Sequence, residues 1–297
     1  MAPETKLSNK IGVIVDNFRL PLREGLKTAH DMNADGVQIY AVDGEMAPES
    51  LNTNARKQLK DYIHSLNLDI AALCGDLGGH GFQDKTENPA KIEKSKRIVD
   101  LAVELGTNIV TTHIGIIPEN KDSEIHEEML KACEELGVYA KQMNAYFAIE
   151  TGPEPANRLK EFLDSLSTNG VSVNFDPANM VMVTGDDPVK GVELLKDYIV
   201  HTHVKDGMML KQVDPRDVYG FLGYGGGTDH DQIAEMVSSG KYFREVPLGQ
   251  GSVDFETYFS TLQKINYNGY LTIEREVDHN PIEEIKEAVK YIEKFKY

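Results

Sequence analysis

Four residues in the chain have the types and spacing that metal-assisted proton chemistry requires: Glu150, Asp176, His203 and Glu274. Each ends an apolar run: Tyr146-Phe-Ala-Ile-Glu150, Val171-Ser-Val-Asn-Phe-Asp176, Ile199-Val-His-Thr-His203 and Tyr270-Leu-Thr-Ile-Glu274. Three carboxylates and one imidazole suit a hard or borderline divalent cation such as Mn²⁺, Co²⁺ or Mg²⁺, and an all-thiolate zinc site is excluded. One carboxylate at a strand end is ordinarily a solvated loop charge, and one strand histidine is ordinarily an interior residue. Four such residues, each closing an apolar run in turn, make a pattern that neither ordinary reading covers.

The elements that must position them follow from hydrophobic periodicity. Short apolar runs over Ile11–Val15, Gly36–Ala41, Asp69–Leu77 and Asn108–Gly115 precede the four ligand-bearing runs. Amphipathic stretches separate them, over Pro21–Met32, Ala55–Leu66, Pro89–Leu105, Ser123–Met143, Pro155–Leu166, Pro188–Lys196, Asp254–Ile265 and Pro281–Phe295. Strict alternation of strand and helix predicts a parallel α/β sheet, and eight units predict closure into a (β/α)₈ TIM barrel as a single domain. That domain is expected over residues 11–297, after a disordered lead at 1–10. A doubly wound open sheet fits less well, because no G-x-G-x-x-G follows the first strand; Gly223-Tyr-Gly-Gly-Gly227 lies in the wrong context and reads as a floppy loop. Between 207 and 248 the alternation stalls, which marks an insertion whose Tyr219, Phe221, Tyr224, Tyr242 and Phe243 suit a lid or a contact in a homo-oligomer. Barrel active sites form at the C-terminal strand ends, so the four candidate ligands, on strands five to eight, would be contiguous around the rim.

Candidates for substrate contact surround them. They are His80 in the glycine-rich loop after the third strand, His113 near the end of the fourth, Asn179 three residues past Asp176, and Lys205 two past His203. Lys205 is placed off the face of His203, and His201, one step deeper, reads as a packed or supporting residue. The formal charge of −17 with no basic patch argues against nucleic acid. No apolar run approaches the roughly 18 residues of a membrane span. Cys74 and Cys133 lack CxxC spacing and the polar N-terminus lacks an apolar signal core, so a reducing, cytoplasmic location is expected.

The chain resembles the xylose isomerase-like TIM barrels, the sugar (phosphate) isomerase/epimerase superfamily. That superfamily includes ketose 3-epimerases, inosose dehydratases, hydroxypyruvate isomerases and endonuclease IV. The resemblance runs from Ile11 to Phe295 and is carried by Thr112-His-Ile-Gly115, Ala148-Ile-Glu-Thr151, Asn174-Phe-Asp-Pro-Ala-Asn179, His201-Thr-His-Val-Lys-Asp206, Pro247-Leu-Gly-Gln-Gly251 with Val253-Asp254, and Leu271-Thr-Ile-Glu274. It implies a metal held by Glu150, Asp176, His203 and Glu274, usually Mn²⁺ with Co²⁺, Mg²⁺ or Zn²⁺ as alternatives. Glu150 and Glu274 would double as catalytic acid and base toward a keto or aldo sugar or a cyclitol. The implied reaction is isomerisation or epimerisation through a cis-enediolate. The alternatives are an inosose-type dehydratase and a non-catalytic sugar-binding barrel. The chain departs from the ketose 3-epimerase pattern at Asn179, Ala156 and Met209, where that pattern carries His, Glu and Arg. The metal half of the pattern is therefore kept and the substrate half is not. The trinuclear zinc site of endonuclease IV also needs a His at the Asn179 position, so the resemblance does not extend to DNA repair.

Overall fold

A computed structural model describes residues 6–224, 239–277 and 279–296 of the chain. Its strands are β1 (Ile11–Ile14), β2 (Gly36–Tyr40), β3 (Asp69–Cys74), β4 (Ile109–Thr112), β5 (Tyr146–Glu150), β6 (Val171–Phe175), β7 (Ile199–Val204), β8 (Asp206–Met209), β9 (Phe243–Val246) and β10 (Leu271–Ile273). All except β8 and β9 close one barrel in the order β1-β10-β7-β6-β5-β4-β3-β2, each neighbouring pair parallel. These strands read as nearly continuous apolar runs because both of their faces are covered, by the barrel interior and by helices.

The main helices are α1 (Leu22–Asp31), α2 (Thr53–Ser65), α3 (Asn88–Leu105), α4 (Glu124–Gln142), α5 (Ala156–Asp164), α6 (Pro188–Leu195), α7 (Phe255–Lys264) and α8 (Pro281–Glu293). Side chains set their starts: Ser123 Oγ accepts the His126 N–H, Asp187 Oδ1 accepts that of Val189, and Asp254 Oδ1 accepts that of Thr257. Gly106 closes α3 at φ 105°, a conformation open to glycine at little cost.

One expectation is revised in part. Part of the lead expected to be disordered is fastened to the barrel floor: Leu7 is buried and its N–H donates to Phe295 O, while Asn9 Nδ2 donates to Tyr267 O and Gly269 O. A buried leucine and a doubly bonded amide supply contacts that a polar composition does not advertise. The stalled stretch after β7 also has structure of its own. There β8 pairs antiparallel with β9, Asp206 opposite Val246 and Met209 opposite Phe243, and a short helix spans Pro215–Tyr219. The Gly225–Gly227 part of the floppy-loop expectation lies outside the described residues. None of the described helices is long and apolar enough to cross a membrane.

Candidate metal centre and active site

Glu150 is the last residue of β5, Asp176 follows β6 directly, His203 lies within β7, and Glu274 follows β10. Barrel closure brings them together: each offers one ligand atom, and these atoms all lie within 4.8 Å of one another in a buried setting. His203 Nδ1 stands 3.0 Å from Glu274 Oε2 and 3.6 Å from both Glu150 Oε1 and Asp176 Oδ2. Despite these distances, neither His203 Nδ1 nor Asp176 Oδ2 has a hydrogen-bond partner. The atoms aim at a common point and not at one another. Asp176 Oδ1 is occupied, accepting the N–H groups of Ala178 and Asn179 at 2.8 and 2.9 Å, which leaves Oδ2 for that point. Buried carboxylates this close require a compensating charge, and the mixed oxygen–nitrogen donor set fits a divalent cation.

The electrostatics are those of a crowded, dry site. Burial pushes the Asp176 carboxyl up to about 6. Burial would raise Glu274 too, but Lys205 and His203 hold it well below the usual carboxylate range. Burial would lower His203, yet Glu150 and Glu274 raise it well above an ordinary imidazole.

Neighbouring side chains fix the ligands. Glu150 accepts from two amides, Asn174 Nδ2 on Oε2 at 3.0 Å and Asn179 Nδ2 on Oε1 at 2.9 Å. His203 Nε2 lies 3.2 Å from Gln38 Oε1. Lys205 donates to Glu274 Oε2 at 3.1 Å and stands 3.7 Å from Glu276 and 4.0 Å from Glu245. Its expected position off the face of His203 is corrected. A strand has a side-chain period of two, so residues 201, 203 and 205 share a face, and Lys205 enters the cavity with its ligand neighbour. Asp206 points elsewhere and accepts the N–H groups of Gly207, Gly249, Gly251 and Val253, tying the loop before α7 to the rim.

His113 reaches the site from just past β4. Its Nδ1 bonds Asp76 Oδ2 at 3.0 Å, and its buried Nε2, 3.9 Å from Glu150 Oε1, has no hydrogen-bond partner. Burial pulls His113 down, but Glu150 and Asp76 outweigh it and raise it to about 9. The Tyr219 ring lies over it at 5.6 Å. His80 is not brought in. Gly78, Gly79 and Gly81 all adopt positive φ, and their loop is fastened just past β4, where the Phe82 N–H bonds Ile114 O. A cavity of about 810 Å³ opens above the quartet, lined by His113, Asn179 and Lys205 and, from the segment after β7, by Tyr219, Phe243 and Glu245.

Gln38 and Asp76 belong to this site and were not among the residues singled out for it, while Tyr219 was named only as an aromatic of a lid or an oligomer contact. Gln38 carries a local signal, a polar residue in the middle of the apolar run Gly-Val-Gln-Ile-Tyr, and Asp76 closes the apolar run of the third strand.

Fold and site together define a (β/α)₈ barrel with a buried carboxylate–imidazole centre at its C-terminal rim. The model of the family described as xylose isomerase-like TIM barrel matches residues 26–295, and the chain belongs to that family. Among curated relatives, an inosose dehydratase of Lacticaseibacillus casei is 26% identical over 174 residues, 56% of this chain and 53% of that protein. A putative L-ribulose-5-phosphate 3-epimerase of Haemophilus influenzae is 26% identical over 249 residues, 80% of this chain and 77% of that protein. The chain spans about half the length of the first of these. A xylose isomerase domain protein from Planctomyces limnophilus superposes with a TM-score of 0.75 at 22% identity, covering 98% of each chain. A structure of the IOLI protein with a bound zinc atom superposes with a TM-score of 0.70 at 18% identity, covering 97% of this chain and 98% of that one.

Proposed function

We propose that this chain is a divalent-metal-dependent enzyme that moves a proton beside the carbonyl of a keto or aldo sugar, sugar phosphate or cyclitol, as an isomerase or epimerase passing through a cis-enediolate. The observation that carries this reading is the convergence of four buried ligand atoms within 4.8 Å, two of them without hydrogen-bond partners. Glu150, Asp176, His203 and Glu274 would hold the cation, with Mn²⁺ the first candidate. When bound, the cation polarises the carbonyl and acidifies the neighbouring C–H.

The protein's own groups divide the remaining work. Glu274, kept ionised by Lys205, takes the proton. Glu150, set three strand positions away around the barrel, returns one to the opposite face or the adjacent carbon. His113 Nε2, the Asn179 amide and the Lys205 ammonium hydrogen-bond substrate oxygens. Tyr219 and Phe243 exclude water from above, which makes the described part of the segment at 207–248 one wall of the site within a single catalytic domain over 11–297.

A second reading, dehydration, is favoured by the curated inosose dehydratases and by the uncommitted His113 Nε2. In it the same carbanion equivalent expels a β-hydroxyl, which leaves as water with a proton supplied by the protein. Product mass separates the two reactions. Replacing Glu150→Gln or Glu274→Gln is expected to abolish solvent-deuterium exchange into the substrate carbon. An exchange rate equal to that of the wild type in either variant would sink the acid–base assignment.

A further inference from the structure

Beneath the quartet lies a buried polar chain that the proton-transfer reading does not use. Gln38, in the middle of β2 and 1% exposed, reaches across the barrel interior to β7. Its Oε1 lies 2.9 Å from His201 Nε2 and 3.2 Å from His203 Nε2. Its Nε2 donates to Thr111 Oγ1 at 3.3 Å, and that hydroxyl donates to Leu73 O at 3.5 Å.

The chain has one direction, because it ends on a backbone carbonyl, which only accepts. The Thr111 proton goes to Leu73 O, so Thr111 Oγ1 accepts from the Gln38 amide nitrogen. Gln38 Oε1 must then face the two imidazoles, and an amide oxygen also only accepts. Both histidines therefore present N–H at Nε2. For His203 this makes Nδ1, which faces Glu150, Asp176 and Glu274 and has no hydrogen-bond partner, the nitrogen that gives up its proton when a cation takes its place. Asn174 Nδ2, which donates one proton to Glu150 Oε2 at 3.0 Å, also lies 3.2 Å from His203 Nε2. Were its second proton given to Nε2, the histidine proton would sit on Nδ1 among the carboxylates and close the cation site; with Gln38 Oε1 as the acceptor, Nε2 keeps its own proton.

We propose that Gln38 is a positioning residue for the cation: from the far side of the barrel it locks His203 in the tautomer whose Nδ1 is free to bind metal. The inference rests on the metal-site reading given above. Partners that orient a metal-bound histidine typically change metal affinity by about 10–100-fold when removed.

The test is Mn²⁺ titration of metal-free wild type, Gln38→Met and Gln38→Glu, with far-UV circular dichroism to check the fold. Gln38→Met keeps the length of the side chain but offers no acceptor, and is expected to bind Mn²⁺ about 10–100-fold more weakly. Gln38→Glu still accepts and is expected to stay close to wild type. A folded Gln38→Met that binds as tightly as wild type overturns the proposal, and so does a Gln38→Glu as weak as Gln38→Met. Histidine ¹⁵N NMR of the wild type supplies a readout that needs neither metal nor variant: His201 is expected as the Nε2–H tautomer, and finding it as Nδ1–H overturns the proposal. Wild type that binds no Mn²⁺ would instead refute the metal-site reading, with the His201 tautomer still deciding the role of Gln38.

Discussion

Asp206 joins the rim to the loop that leads into α7, and its removal has a cost that the geometry bounds. Oδ1 accepts the N–H groups of Gly207 and Val253 at 2.8 and 3.2 Å, both buried. Oδ2 accepts those of Gly249 and Gly251 at 2.9 and 2.8 Å, both only part-buried. In Asp206→Ala, water can take over the part-buried pair, while the buried pair loses its acceptor. A buried donor left unsatisfied costs about 1–3 kcal/mol, so two cost roughly 2–6 kcal/mol. Asp206→Asn retains one oxygen for the buried pair, but its NH₂ sets a donor against the Gly249 and Gly251 N–H groups, which lie 2.9 and 2.8 Å from the oxygen it replaces. Those two N–H groups then lose their acceptor, so the asparagine variant is also destabilised, by roughly 2–6 kcal/mol. Urea unfolding followed by far-UV circular dichroism measures both, with an unchanged m-value showing that stability alone has moved. An alanine variant within about 0.5 kcal/mol of wild type, the range of ordinary surface substitutions, would refute the clamp. An asparagine variant as stable as wild type would refute the need for two accepting oxygens. The glycine at 251 fits the same picture, since a Cβ there would stand 2.1 Å from Asp206 Oδ1.

Two further outcomes follow from buried charge. Burial raises Glu154 from 4.5 to about 7, so the folded state binds a proton that the unfolded state has released, and stability falls as pH rises from about 4.5 to 7. At 1.36 kcal/mol per unit that is about 3 kcal/mol; Glu154→Gln should remove this slope and gain most at pH 8, and a variant with the wild-type slope in pH-dependent urea melts would refute it. For the metal site, Mn²⁺ at a hundredfold excess over its Kd should stabilise the fold by about 2.7 kcal/mol. This should raise the Tm by several degrees, reversibly with chelator, and no shift at any Mn²⁺ concentration would count against the quartet.

The alternation of apolar runs and amphipathic stretches was enough to predict a closed parallel barrel, because a buried strand and a surface helix differ in period over a few residues. Glu150, Asp176, His203 and Glu274 were legible for the same local reason: each is the polar residue at which an apolar run stops, and the barrel rim is where strands stop. The side of Lys205 was misjudged from the same information, since period two puts it with His203 and not off its face. The second half of the site was not legible. Gln38 meets His203 across 165 residues of sequence, and Asp76 meets His113 across 37. The β8–β9 pairing joins the weak runs Asp-Gly-Met-Met and Phe-Arg-Glu-Val, neither of which has a strand period strong enough to announce itself. Local pattern records which way a side chain leaves its own element. Which partner it then meets depends on barrel closure, and only the tertiary structure decides whether His203 has Gln38 behind it, Lys205 beside it and Tyr219 above the cavity.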